Sequence, residues 1–407
     1  MLDFLNSNRS FLVLSGSQFF RLVFTGASFF LLSRHLGPEQ FGNFISISAL
    51  FYLFSPLVTF GLYDVNVKRA SCQQTPAALL SASLITIALL SALVLPIALI
   101  VGNQVFQVDF VIILALALTI IIAEKAMPIA HSIFVVTSRF GTYAIIEILQ
   151  GVLRLFAVLI LLAIDGDLIM WTLLFLGYSL VLSLGFIIWA LATFGLKRNP
   201  VAELIQRMSI GKGFLLATLL ETAVLELDRV IVNKHSGASA SGIYGAVMRI
   251  NNFALMPINA YFITVYKQYF SKGQKRKALA LRHALKVIRN SLIIAIIIFV
   301  SLIVFRQAIE QLLGPEYQGV ASILVISALI PLVYAITQPL LDALSGTNHQ
   351  NVRVSILAIV LTVNISLLML LLPHFEALGA VLSVILSRLF ILPLFVGYRF
   401  INKEHWL

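Results

Sequence analysis

Hydrophobic positions in this chain fall in long unbroken runs, with polar residues confined to short intervals between them. Twelve runs stand out, at 11–33, 43–63, 77–101, 109–136, 143–164, 168–193, 214–233, 242–265, 290–307, 321–343, 353–373 and 378–398. A helix needs about 20 mostly apolar residues to cross the hydrocarbon of a bilayer, so each run predicts one spanning helix. The pattern predicts an all-α integral membrane fold. The first run has no small-residue cleavage site behind it and is followed at once by the second, so it reads as an uncleaved anchor.

The punctuation repeats. Leu36-Gly37-Pro38-Glu39 ends one helix and starts the next. Glycine tolerates the positive φ of a helix stop, proline fits the first helical turn, and an acid there complements the helix dipole. Ser236-Gly237-Ala238 does the same work two hundred residues later, and Leu313-Gly314-Pro315-Glu316 repeats the tetrapeptide. Pro56 and Pro257 sit at nearly equal distances from Gly42 and Gly242. The one long polar stretch near the middle leaves six runs on each side. The expected organisation is two six-helix lobes, 1–193 and 214–407, joined by a linker at 194–213 and related as a parallel pseudo-repeat. Pro96, Pro128, Pro331, Pro339 and Pro393 lie inside further runs and predict bent helices.

Composition agrees with a bilayer: 60% hydrophobic and 11% charged residues, against about 25% charged in soluble domains. The charges that remain set the topology. With the N-terminus inside, nineteen Lys and Arg fall in inside segments and three (Arg34, Lys234 and Arg306) in outside ones. The positive-inside rule then places both termini in the cytoplasm. This bias accounts for most of the net charge of +11, so no nucleic-acid partner is needed to explain it. The longest inside loop, Lys267 to Arg289, has eight basic residues and no acid. From Lys277 onward Leu281, Leu285 and Ile288 share one face, as in a helix lying on anionic membrane lipid.

Charges within the runs are the chemical signal. Arg21, Arg154, Arg249 and Arg388 fall near mid-depth, with Lys125 and Arg229 as further cations. Each central arginine costs about 2.5–3.5 kcal/mol on insertion scales, so none is expected to face lipid. The available carboxylates are Glu124, Glu147, Glu221, Glu226, Asp228 and Asp342, with Asp64 near an inner helix end. Glu147, Gln150 and Arg154 form one polar stripe, Glu221 and Asp228 another, and Arg249 shares a face with Asn252. Glu147–Arg154 and Asp228–Arg229 are the candidate structural pairs. The arginines and Lys125 predict a cationic cavity for an anionic substrate, since guanidinium grips phosphate with two parallel hydrogen bonds. The acids are then candidates for binding a coupling H+ or Na+.

Enzyme signatures are missing. No phosphate-binding loop of the nucleotide-hydrolase type occurs, no histidines pair at metal-ligand spacing, and the outside loops are short. The chain is expected to be a transporter that needs no metal or cofactor.

The stretches SRHLGPEQFGNFISISALFYLFSPLVTFGLYDVNVKRAS (Ser33–Ser71), LDRVIVNKHSGASASGIYGAVMRI (Leu227–Ile250), LGPEY (Leu313–Tyr317) and PHFEALGAVLSVILSRLF (Pro373–Phe390) resemble the polysaccharide-exporter branch of the multidrug/oligosaccharidyl-lipid/polysaccharide flippase superfamily, the Wzx-type O-antigen flippases. With twelve spans the resemblance covers essentially the whole chain. It implies a bacterial inner-membrane protein that turns an undecaprenyl-pyrophosphate-linked oligosaccharide from the cytoplasmic to the outer leaflet by alternating access. It also implies a place in O-antigen and lipopolysaccharide assembly, with a polysaccharide polymerase and other assembly proteins as companions. The resemblance further implies that central cations serve the pyrophosphate or sugar acids, and Arg21, Arg154, Arg249 and Arg388 match that in kind. Lipid II flippases of the superfamily usually have fourteen spans. Drug and organic-cation antiporters have twelve and are the runner-up.

Overall fold

Long apolar runs separated by glycine and proline should give helices that break rather than loop, and they do. The structure, a computed structural model, describes residues 2–63, 65–66, 75–137, 139–197, 201–273, 276–347 and 349–401. Among these residues there is no β-strand. The helices are α1 (Leu2–Thr59), α2 (Pro76–Val105), α3 (Phe110–Ala117), α4 (Ala126–Val136), α5 (Phe140–Ala163), α6 (Leu168–Phe194) and α7 (Val201–Ala254). They continue as α8 (Met256–Gly273), α9 (Lys277–Leu313), α10 (Val320–Ser327), α11 (Leu329–Gly346), α12 (Gln350–Leu389) and α13 (Ile391–Ile401).

Sharp breaks divide the longest three. α1 turns at Gly37 (φ 67°, ψ 172°), α7 at Gly237 (φ 87°, ψ 171°) and α12 at Glu376 (φ 46°, ψ −127°). Gly37 and Gly237 adopt nearly one conformation at an interval of two hundred residues, as the repeated punctuation predicts. Prolines mark softer joints. α8, α11 and α13 begin one or two residues before Pro257, Pro331 and Pro393, because a proline cannot donate to the preceding turn and its ring crowds that turn's carbonyl. Counting each broken or jointed helix by its membrane crossings gives the twelve spans expected. Polar side chains cap the starts: Thr75 accepts from the Ala78 amide, Asp109 from Val111 and Asp167 from Met170.

The outward faces are apolar. Leu93 on α2, Ile188 on α6 and Val304 on α9 are each about two-thirds exposed, and among the described residues seven helical stretches are long and apolar enough to cross a bilayer. An apolar surface of that extent is unstable in water and stable in lipid. The chain is a multi-pass membrane protein.

It divides into two compact units. The first comprises Met1–Leu36 and Phe44–Thr222, the second Gly37–Asn43 and Ala223–Leu407. In the first, Trp171 and Phe175 stack and Phe44 meets both edge-on in a buried aromatic core, with ring centroids 5.8–5.9 Å apart. The central stretch expected as a linker is helical from Val201, and it continues as α7 without interruption up to Gly237. Its Arg207 is buried and donates to Asn66 Oδ1 (3.2 Å), while Asn66 donates to Ser83 on α2 and Ser132 on α4 (3.0 Å each).

In the second unit the segment Gly37–Asn43 lies against α7. A Cβ at Gly42 would overlap the Ala238 carbonyl and the Gly242 amide, and one at Gly242 would overlap the Pro38 carbonyl. Gly37 faces the Glu316 carboxylate, so the two Leu-Gly-Pro-Glu turns meet.

The basic helix at Lys277–Arg289 differs from expectation. It does not lie as a separate interfacial helix but forms the first turns of α9, whose 37 residues measure about 55 Å, well beyond the ~30 Å of hydrocarbon. Its apolar face covers protein: Leu281 and Ile288 pack with Leu340, Leu341, Leu344, Ile356 and Phe395. Leu285 alone of that face is exposed. The protein core claimed the stripe that lipid was expected to cover. His283, in this projecting part, lies against the Tyr269 ring (4.7 Å), with its Nδ1 2.9 Å from Lys272 Nζ. Burial, with the positive charges of Lys272 and Lys286 beside it, holds its pKa below the usual histidine value, against a smaller opposing pull from the Val265 carbonyl.

Candidate functional site

In the first unit, Arg21 on α1 forms an ion pair with Glu147 on α5, Nη1 to Oε2 at 2.7 Å. Gly151, one turn beyond Glu147, makes the approach close: a Cβ there would lie 3.2 Å from the Arg21 Cα. The pair is lopsided. The Glu147 side chain is 1% exposed and that of Arg21 40%. A carboxylate is thus sealed in the protein while its guanidinium partner keeps an open side with donors to spare. The expected Glu147–Arg154 pair does not form. Seven residues span about 10.5 Å along a helix, close to the combined reach of the two side chains, and Arg21 holds the carboxylate at short range instead. Arg154 is half-buried, with its Nε buried and lacking a hydrogen-bond partner among the described residues.

Glu124 and Lys125 occupy a defect in the helical backbone. A π-turn, Leu118–Ile122, and a 3-10 turn, Ala123–Lys125, join α3 to α4. Such irregularity frees carbonyls that hydrocarbon cannot satisfy. Ser91 on α2 donates to the Ile121 carbonyl (3.1 Å) and Ser183 on α6 to that of Ala123. The defect turns Glu124 and Lys125 toward α1, where Tyr52 donates to Glu124 Oε2 (3.0 Å) and the buried Lys125 donates to Ser55. Asp64 lies outside the described residues.

In the second unit Arg229 pairs with Glu226 at 2.5 Å. Asp228, expected as the partner of Arg229, instead accepts from the Tyr244 hydroxyl and from the Arg229 backbone amide (2.8 Å). Adjacent helical side chains point about 100° apart, whereas residues at i and i+3 are neighbours. Arg249 is half-buried and adds positive charge near Glu226, while Glu221 is exposed.

The same unit holds a cavity of about 420 Å³. Its walls are Asn259, Phe262 and Tyr266 on α8, Tyr334, Gln338 and Asp342 on α11, and Arg353 on α12. The Tyr334 hydroxyl donates to Asn259 Oδ1 (2.8 Å) and Gln338 to Asp342 Oδ1 (3.0 Å). Arg388 lies over the Tyr334 ring, 4.6 Å from its centroid, in a cation–π contact. Its Nε is buried and has no hydrogen-bond partner among the described residues.

Of the predicted residues, the structure therefore brings together Arg21 with Glu147, Glu226 with Arg229 and Arg249, and Arg388 with the aromatic edge of the cavity holding Asp342. The aromatic lining was missed by sequence reasoning. Its signal was present as Asn259, Phe262 and Tyr266 at i, i+3 and i+7, and as Tyr334, Gln338 and Asp342 at i, i+4 and i+8, each one face of a helix.

The fold matches solved transporters. One is a multidrug resistance MATE family transporter of the MOP superfamily, in an inward-facing conformation. It superposes with a TM-score of 0.79 over 97% of this chain and 98% of its own, at 12% identity. The lipid II flippase MurJ, in an inward closed conformation, gives 0.74 over 95% of this chain and 87% of its own, at 15% identity. A MOP superfamily transporter from Pyrococcus furiosus Vc1 gives 0.62 over 95% of each chain, at 12% identity. No curated protein matches significantly in sequence. At these identities the likeness establishes the transporter fold. The sequence profile described as polysaccharide biosynthesis protein matches residues 31–322. The match takes in both Leu-Gly-Pro-Glu turns, the Glu226–Arg229 pair of α7 and the Arg21 partner Glu147, and by it the chain belongs to the polysaccharide biosynthesis protein family.

Proposed function

We propose that the protein is a secondary transporter that flips an undecaprenyl-pyrophosphate-linked oligosaccharide, an O-antigen or related repeat unit, from the cytoplasmic to the outer leaflet of a bacterial inner membrane by alternating access. The arginine on a buried carboxylate carries this reading. Arg21, open on one side and neutralised on the other by Glu147, can exchange its carboxylate for a pyrophosphate when substrate arrives and regain it when substrate leaves. Arg154 and Lys125 in the same unit, and Arg249 and Arg388 in the second, are further candidates for binding the substrate. Glu147 is then the resetting group, driven by uptake of H+ or Na+. Glu124, Glu221, Glu226, Asp228, Asp342 and Asp64 are further coupling candidates. Membership of a polysaccharide biosynthesis family supports a sugar-bearing substrate.

An organic-cation antiporter would need carboxylates free to bind the cation. Glu147 and Glu226 are each held by an arginine, which favours an anion.

The test is flipping of a fluorescent polyprenyl-pyrophosphate-linked N-acetylglucosamine in reconstituted vesicles, comparing wild type with Arg21→Lys. Lysine keeps the charge and loses the planar fork. Flipping by wild type and a tenfold or larger loss in the variant support the reading. Transport of organic cations without flipping overturns it.

A further inference from the structure

The cavity of the second unit has a chemistry that the pyrophosphate does not explain. Its single acid, Asp342, and its single guanidinium, Arg353, leave it without net charge, and a diphosphate would meet the carboxylate as well as the arginine. What converges there is planar. Phe262 and Tyr334 present tilted rings with centroids 5.8 Å apart, and Tyr266 adds a third. Asn259, Gln338, Asp342 and Arg353 are planar groups whose paired polar atoms can bridge two neighbouring hydroxyls. An aromatic face meets the C–H face of a pyranose, and paired donors and acceptors meet its vicinal hydroxyls. An organic cation would meet the Arg353 guanidinium as well as the Asp342 carboxylate, so the lining offers it no net attraction. At about 420 Å³ the cavity falls in the usual range of small-molecule sites, about 300–1,000 Å³.

We infer that this cavity is a saccharide subsite, in which Tyr334 supplies the stacking face and Asn259, Gln338 and Asp342 read the hydroxyls of one sugar ring. The inference rests on the reading of the protein as an oligosaccharide carrier and deepens it. It separates recognition into a headgroup contact made by Arg21 and a sugar contact made by a cavity whose lining carries one acid and one guanidinium. It also names the residues that set sugar preference. Arg388, stacked on Tyr334, holds the ring in place and is a positioning residue for the stacking face.

The experiment is saturation-transfer NMR on the full chain in lipid nanodiscs, free of sugar detergents. The probes are the methyl pyranosides of glucose, galactose, N-acetylglucosamine, rhamnose and glucuronic acid, with inorganic pyrophosphate as competitor. At least one glycoside should receive saturation on its ring C–H protons, undisplaced by pyrophosphate. Gln338→Leu and Asp342→Asn should each weaken its binding about tenfold, the scale set by the net contribution of one hydrogen bond. Tyr334→Leu should abolish it. Asp342→Asn preserves side-chain shape, so its result stands if Tyr334→Leu fails to fold. Absence of saturation for every glycoside overturns the inference, as does binding unchanged in Asp342→Asn and Gln338→Leu, or displacement by pyrophosphate. The carrier reading fails separately: glycoside binding without flipping in vesicles sinks that reading and leaves the subsite standing.

Discussion

Glu147→Gln isolates the step in which substrate leaves. Glutamine has the shape of glutamate and can still accept from Arg21, but it cannot neutralise it. A hydrogen bond to a charged group contributes about 1.5–3 kcal/mol, and the 40% exposure of the Arg21 side chain places this pair toward the lower end, since solvent screens it. An effect of about 1.4 kcal/mol corresponds to a factor of about ten. The two sides of the cycle should move in opposite directions. With its competitor neutral, Arg21 should hold a pyrophosphate about tenfold more tightly, and release should slow by a similar factor. The fold should tolerate the change, because a neutral amide costs less to bury than a carboxylate and Arg21 reaches water.

The assay is initial flipping rate in reconstituted vesicles, measured against the surface density of the fluorescent lipid-linked sugar, with and without an imposed pH or Na+ gradient. Glu147→Gln should lower the half-saturating density, lower the maximal rate and remove the response to the coupling gradient. A variant that flips at the normal rate and still responds to both gradients refutes the reasoning. Glu147 would then be a structural partner of Arg21, with coupling located elsewhere.

Other expectations rest on separate contacts. Gly42→Ala should destabilise the protein by about 1–3 kcal/mol, the usual cost of overpacking, because its Cβ would meet the backbone of α7; an unchanged melting temperature would show that the crossing is loose. Gly177→Ala on α6, with nothing within 4 Å of the added atom, should be neutral or stabilising by up to about 1 kcal/mol, as helix propensity dictates. His283 has a folded-state pKa below its unfolded value, so the unfolded chain binds more protons between those two values. Stability should therefore rise with pH through that window, up to the unfolded value of about 6.5, and His283→Gln should flatten the dependence. Reporter fusions between α8 and α9 should report the cytoplasm, following the bias of nineteen inside cations to three outside; an outside signal reverses the assigned direction of transport.

Spans and breaks were legible because each follows from local chemistry. An apolar run of sufficient length must be helical in lipid, and Gly37, Gly237, Pro257, Pro331 and Pro393 act on the turn they occupy. Side-chain pairing was not legible, because it depends on how each helix is rotated against its neighbours. Glu147 found Arg21, not Arg154, since Gly151 lets α1 approach just beyond it. The π-turn before Glu124 carried no local signature, and its carbonyls are satisfied by serines on α2 and α6 that looked ordinary in sequence. The stripe of Leu281 and Ile288 was correctly apolar, but periodicity alone cannot say whether lipid or protein covers a stripe.

The repeat is where sequence and geometry constrain each other most tightly. Gly42 approaches Ala238, and Gly242 approaches Pro38. Shifting either pair by two hundred residues and exchanging its members gives the other. Reciprocal contacts of this kind arise when two copies of one motif meet about a local two-fold axis, where each copy must present the same surface to itself. Such a contact brings backbone against backbone at the axis, and glycine is the residue that permits it. The same glycines therefore serve two ends. Gly37 and Gly237 turn the chain, and Gly42 and Gly242, one and a half helical turns further on, let the turned segments touch. The repeat weakens away from these contacts, where no shared close approach holds the two copies to one sequence; α8, α11 and α12 were thus free to acquire the aromatic cavity.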